Sequence, residues 1–150
     1  MTPEQESRQD IDRQLVQSGW LVQDCRDMNI SAGPGVAVRE FPLATGKADY
    51  LLYVYAKALG GVEAKPKGHT LIGVEEQSEK YVVGVPKELP HYVLPLPFTY
   101  ESTGAVTQFT NRLDPNPRSR EVLTFHRPEE LLRLVNLDAH PDRTLGARVM

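Results

Sequence analysis

The chain is expected to fold as one α/β domain, a central mixed β-sheet flanked by helices. Three observations predict this class. A capped amphipathic helix opens the chain, short runs rich in Val, Leu, Tyr and Phe follow between Gly and Pro punctuation, and helical spacing returns over residues 71–81 and after Pro128. The 150 residues suffice for one core, since a domain of this size buries roughly 70% of the surface its unfolded chain exposes.

Thr2-Pro3-Glu4-Gln5 supplies an N-cap, a proline at the first helical position and a capping-box glutamine. Ile11, Leu15 and Val16 give the helix its apolar stripe, and Ser18-Gly19 ends it. Trp20-Leu21-Val22 reads as a short strand and residues 27–35 as a polar loop. Val36-Ala37-Val38-Arg39-Glu40-Phe41 is a strand ending at Pro42, and Thr45-Gly46 turns the chain into the next one. That strand, Gly46-Lys47-Ala48-Asp49-Tyr50-Leu51-Leu52-Tyr53-Val54-Tyr55, pairs as a hairpin with Leu59-Gly60-Gly61-Val62-Glu63-Ala64-Lys65. After the loop Lys67-Gly68-His69-Thr70, the residues Leu71, Val74, Gln77 and Tyr81 recur at helical spacing until Gly84-Val85-Pro86. Tyr92-Val93-Leu94 and Leu96-Pro97-Phe98-Thr99-Tyr100 make a strand with irregular borders, and Val106-Thr107-Gln108-Phe109-Thr110 makes another. Residues 114–120 read as a loop, and Pro128 starts a last helix through Val135. Residues 141–150 are turn-like and polar.

Charge excludes little and localises much. Lys and Arg number 17 against 20 Asp and Glu, so no excess of positive charge announces a polyanion-binding protein. Residues 1–38 hold the whole acidic excess, with three Arg against six acids, and any nucleic-acid contact must run through a local groove. The single Cys25 cannot form an internal disulfide, no Cys/His metal spacing occurs, and neither a membrane span nor a signal-peptide core is present in the sequence. A cytoplasmic protein with no membrane partner is the expectation. Gly33-Pro34-Gly35 lacks the phosphate-loop pattern, as does the rest of the chain.

The hairpin carries the chemistry. With its turn centred near Ala56, Asp49 falls opposite Glu63, on one sheet face, and Lys47 opposite Lys65. Opposed side chains on one face lie roughly 4.5–5.5 Å apart at Cβ, and like charges so placed are destabilising. A divalent cation relieves the opposition of the two acids. Mg²⁺ takes oxygen ligands, keeps several waters and is held by one or two carboxylates plus substrate phosphate oxygens. Asp49 and Glu63 meet that need, and Lys65 can orient a water or neutralise developing charge. A surface strand with a cross-strand ion pair is the plain alternative for Glu63-x-Lys65. Glu4 and Glu6 are accounted for by the helix dipole, with the alternative that one of them reaches the acid cluster. Gln77 and Tyr81 share one helix face.

The array Asp49, Glu63-x-Lys65 and Gln77-x-x-x-Tyr81 resembles the PD-(D/E)xK nuclease superfamily, in its branch with a Gln-x-x-x-Tyr helix. Further runs extend the resemblance over nearly the whole chain: Pro3-Glu4 with Arg8, Gly73-Val74-Glu75-Glu76-Gln77-Ser78, Tyr100-Glu101-Ser102-Thr103-Gly104, Phe109-Thr110-Asn111 and Phe125-His126-Arg127-Pro128. Together they look like the N-terminal endonuclease domain of the restriction (motor) subunit of type I restriction-modification enzymes. The resemblance implies a PD-(D/E)xK nuclease core in which Asp49, Glu63 and Lys65 are catalytic, Asp49, Glu63 and Glu4 hold Mg²⁺ (or Mn²⁺ in its place), and Gln77 and Tyr81 contact DNA or brace the site. It implies double-stranded DNA as substrate, methylation and specificity subunits as partners, and ATP use only through a motor domain beyond this chain. Residues 1–140 would then be the endonuclease domain and 141–150 the start of a linker. Ala48 stands where the superfamily's name has proline, a position without chemistry of its own. The competing expectation is a non-catalytic DNA-binding or subunit-docking module that retains the nuclease fold. A stand-alone nuclease of the same superfamily is disfavoured by the absence of a basic tail.

Overall fold

A computed structural model describes residues 1–74, 78 and 84–139. Helix α1 (Pro3–Gln17) is followed by β1 (Leu21–Asp24), a single 3-10 turn (Cys25–Asp27), β2 (Gly35–Leu43), β3 (Gly46–Val54) and β4 (Lys57–Ala64). Strands β5 (Phe98–Ser102), β6 (Thr107–Asn111) and β7 (Arg120–Val122) complete one seven-stranded sheet, and α2 (Pro128–Ala139) ends the described chain. The strands lie in sequence order. Pairs β1/β2 and β4/β5 are parallel and the others antiparallel, so the sheet is mixed, as expected. No helix among the described residues is long and apolar enough to cross a membrane.

The opening helix forms as its sequence dictates. Gln5 donates its backbone N–H to Thr2 Oγ1, and the Thr2 N–H reaches Gln5 Oε1 at 2.9 Å, which closes the capping box. Its stripe is narrower than expected: Ser7, Ile11 and Leu15, four residues apart, are buried, while Val16, turned about 100° from Leu15, is exposed. The Trp20 indole N–H donates to His126 O at 2.9 Å and ties the end of α1 to the start of α2.

Both sheet faces are covered. On one, Ile11 and Leu15 of α1 and Leu131 and Val135 of α2 pack on Tyr50, Leu52, Val54, Val62, Phe98 and Tyr100. On the other, Val85 and Leu96 pack on Val36, Val38, Leu51, Tyr53 and Ala58.

Three local expectations are corrected. Strand β2 runs through Pro42 to Leu43, because its pairing with β1 stops at Arg39 and a proline is tolerated on an unpaired edge. Residues 92–94 are not a sheet strand: an isolated bridge joins Ala58 to His91, and the sheet resumes only at Phe98. Arg120, expected in a loop, opens the edge strand β7 and pairs with Phe109.

The β3/β4 hairpin turns over Tyr55 and Ala56, both at positive φ (47° and 65°), as a tight two-residue turn demands. Pairs Tyr53↔Ala58 and Leu52↔Gly60 leave Leu59 as a bulge. That extra residue restores the register expected from a turn centred on Ala56, which then holds through Leu51↔Gly61 and Tyr50↔Val62. It also brings Leu59 onto the same face as Val62.

Candidate functional site

Asp49 sits where the sheet splits. The β3/β4 ladder ends at Tyr50↔Val62, one position short of Asp49 and Glu63. In the gap beyond it the Ala64 N–H donates to Asp49 Oδ2 at 2.7 Å. Asp49 is thus hydrogen-bonded to the residue between Glu63 and Lys65. The expected pairing of Lys47 with Lys65 does not form, because the β3/β4 ladder has ended at Tyr50↔Val62, and the Lys65 N–H bonds Ser102 O on β5 at 2.8 Å.

The segment carrying Glu63 and Lys65 is held from three sides. Asp49 takes the Ala64 N–H, Ser102 takes the Lys65 N–H, and Ser7 of α1 donates its hydroxyl to Lys65 O at 2.7 Å. Lys65 Nζ lies 3.8 Å from Glu63 Oε1, with side chains 21% and 14% exposed. Both groups are therefore shielded yet reachable.

The acid opposite Asp49 is Glu40. Ladder pairs Arg39↔Tyr50 and Phe41↔Ala48 bracket this position, and the pair between them is missing. Both strands turn over here. On β2, Val38 and Phe41 face the same cluster although three residues apart, and on β3 so do Leu51 and Ala48. Glu40 itself has φ of 56°, costly for a side chain other than glycine. Arg8 of α1 spans the kink: Nη1 donates to Glu40 Oε1 at 2.5 Å and Nη2 to Asp49 Oδ1 at 2.6 Å. Burial alone would lower the Arg8 pKa, but the charges of Asp49 and Glu40 outweigh it and raise it. Alongside, Tyr50 donates its hydroxyl to Asp12 at 2.6 Å, and Arg39 joins Asp12 (2.8 Å) to Asp24 (3.0 Å). Burial and the Asp12 bond push the Tyr50 hydroxyl pKa well up.

Asp49, Glu63 and Lys65 thus belong to one end of the sheet. Glu4, 57% exposed, approaches them through Arg8, whose Nη2 lies 3.9 Å away. Gln77 and Tyr81 lie outside the described residues. Between them Ser78, whose N–H bonds Val74 O in helical fashion, donates its hydroxyl to Glu101 Oε2 at 2.7 Å. Glu101 is fully buried and stands beside Glu63 in the parallel β4/β5 register. Sequence reasoning gave no role to Arg8, Glu40 or Glu101. Glu101 lies in a run that carries the resemblance, but only the β4/β5 pairing places it beside Glu63.

The donors present suit a hard cation. Asp49 and Glu63 offer carboxylate oxygens only, and among the described residues no group of three or more His, Cys, Asp or Glu is placed to hold a metal ion. Two carboxylates would leave the remaining positions of an ion such as Mg²⁺ to water and other oxygen ligands.

A scan against protein-family models finds no match, and a search of curated proteins finds none either. Among solved structures, the fold is similar to one described as "The fragment structure of a putative HsdR subunit of a type I restriction enzyme from Vibrio vulnificus YJ016". The TM-score is 0.65 at 19% sequence identity, over 92% of this chain and 26% of that one. The chain therefore spans about a quarter of the length of that structure and shares its α/β fold.

Proposed function

We infer that this chain is a Mg²⁺-dependent endonuclease domain that hydrolyses DNA phosphodiester bonds within a type I restriction-modification complex. One observation carries the reading: the hydrogen bond from Ala64 N–H to Asp49 Oδ2 joins the upstream acid to the middle of Glu63-Ala64-Lys65. The likeness in fold to a restriction-subunit fragment agrees with it.

Asp49 and Glu63 would hold Mg²⁺, and Glu4 stands one guanidinium away. When bound, the ion supplies charge neutralisation at the phosphate and a more nucleophilic water. The chain's own groups do the rest. Ala64 and Arg8 fix the orientation of the Asp49 carboxylate. Lys65, its backbone pinned by Ser7 and Ser102, presents its ammonium beside Glu63, where it can orient water or offset charge developing on the phosphate. Gln77 and Tyr81 are assigned to DNA contact or bracing on the resemblance alone. Double-stranded DNA and the methylation and specificity subunits are the proposed partners, with ATP acting through a separate motor domain.

The test is DNA cleavage with Mg²⁺ by the complete subunit in its complex, comparing wild type with Asp49→Asn and Lys65→Ala. Loss of at least tenfold in each is expected, since charge-stabilising groups in active sites commonly contribute about 10²-fold or more. Undiminished cleavage by both variants sinks the assignment. A second reading, a non-catalytic DNA-binding or docking module, is favoured by one fact: Asp49 already bonds Arg8 and Ala64 and Glu63 faces Lys65, as in a structural ion network. Calorimetry with Mn²⁺ separates the two, because that module gives no heat that depends on Glu63.

A further inference from the structure

Arg8 stands out once the site is drawn. Its fork grips two acids, Glu40 and Asp49, that face each other across β2 and β3 at the kink, and its Nη2 also lies 3.9 Å from Glu4. It is 24% exposed and lines a shallow cleft of about 470 Å³ with Gln5, Gln9, Asp12 and Arg39, so there is space beside it. Two opposing effects follow. Its hydrogen bond orients the Asp49 carboxylate, while its positive charge, 2.6 Å from Oδ1, repels any cation that shares that carboxylate.

We propose that Arg8 is the positioning residue of this site, a built-in counter-cation that fixes Asp49 for chemistry and in doing so lowers the site's affinity for a divalent ion. This rests on the endonuclease reading. Glu40 sets the balance. By taking Nη1 it draws off part of the guanidinium charge, and without it that charge bears wholly on Asp49. Arg8 thus offsets the repulsion between two acids on neighbouring strands, Glu40 and Asp49.

The experiment uses the complete subunit without nucleotide and measures Mn²⁺ binding by loss of the free-ion paramagnetic resonance signal, alongside turnover and melting temperature. Arg8→Gln keeps an N–H for Asp49 and removes the charge, and it should bind Mn²⁺ about five- to tenfold more tightly, the size expected for a unit charge near a divalent ion in a solvent-screened site. Arg8→Lys keeps the charge without the fork. It should bind Mn²⁺ within about twofold of wild type but turn over at least tenfold more slowly, since a misplaced catalytic group commonly costs about that or more. Glu40→Gln should weaken Mn²⁺ binding. Arg39→Gln, which removes a neighbouring charge that pairs with Asp12 and Asp24 rather than Asp49, should leave it unchanged and so controls for general electrostatics. Unchanged or weaker Mn²⁺ binding by a folded Arg8→Gln overturns the proposal while leaving the function standing. If Asp49→Asn binds Mn²⁺ as wild type does, the endonuclease reading falls, and the role of Arg8 with it.

Discussion

Replacing Asp49 by alanine should destabilise the fold as well as abolish cleavage, and the two losses can be separated. The carboxylate accepts from Ala64 N–H at 2.7 Å and from the Arg8 guanidinium at 2.6 Å, and its side chain is 14% exposed. Truncation leaves the Ala64 N–H without its acceptor at the split between β3 and β4, a loss of about 1–2 kcal/mol. The ion pair contributes about 1 kcal/mol more, discounted because Arg8 is a quarter exposed. Asp49→Ala is therefore expected to lose about 2–3 kcal/mol, which for a domain of this size lowers the melting temperature by about 5–10 °C. Asp49→Asn keeps an amide oxygen for Ala64 and should lose only about 1 kcal/mol. Urea unfolding of Asp49→Ala, Arg8→Ala and the double variant reads the pair directly, with a coupling of about 1 kcal/mol expected. An Asp49→Ala protein as stable as wild type, with no coupling to Arg8, would show that neither hydrogen bond matters and would refute the account of how the carboxylate is held. Cleavage is read below both midpoints, where each variant is folded.

Three further predictions concern the scaffold. Gly60→Ala would place a Cβ 2.6 Å from the Phe98 carbonyl oxygen across the β4/β5 pair, and since backbone cannot yield cheaply, a loss of about 2–3 kcal/mol is expected in the urea midpoint. An unchanged midpoint would mean that the strands part freely there. Tyr100→Phe removes a buried hydroxyl that is hydrogen-bonded to His126 Nδ1 (2.6 Å) and accepts the His126 N–H (3.1 Å), and should lower stability by about 2 kcal/mol in the same assay. Stability should also fall with pH through His126. Burial lowers its pKa below 6.5, against a smaller opposing effect of Glu130, so as pH drops below 6.5 the unfolded chain takes up a proton that the native chain resists. That contribution is intact above pH 6.5 and is lost through the window beneath it. Melting temperatures across this range should fall less steeply for His126→Gln, and equal slopes would show that another group is responsible.

Much of the scaffold was legible because its signals are local. The capping box at Thr2, the proline starting α2 and the apolar run of β3 after its Gly46 turn each act within a few residues, and each element formed where those signals put it. The failures have local causes as well. Three-residue β7 carries too little pattern to be told from a loop, and residues 92–94 are apolar without belonging to the sheet. The hairpin register came out as expected at Tyr50↔Val62, but by cancellation: the turn centres half a residue earlier than Ala56 and the Leu59 bulge makes up the difference. A register inferred from spacing alone is exposed to that kind of compensation.

The candidate residues could be named from the sequence, but their contacts could not. Spacing across one hairpin pointed to Asp49 facing Glu63, yet the ladder ends before that pair, and the acid directly across from Asp49 is Glu40 on the strand to its other side. No reading of β3 and β4 by themselves could find this, because it depends on β2 turning over at the same place as β3, with Glu40 at a positive φ. The problem seen in the sequence, acids opposed at the end of a sheet, also arises on the other side of Asp49, with Glu40. Its remedy among the described residues is an arginine from the opening helix, four positions after the acid that the resemblance had picked out. Any divalent ion at Asp49 would therefore act against the charge of a cation that the chain itself supplies.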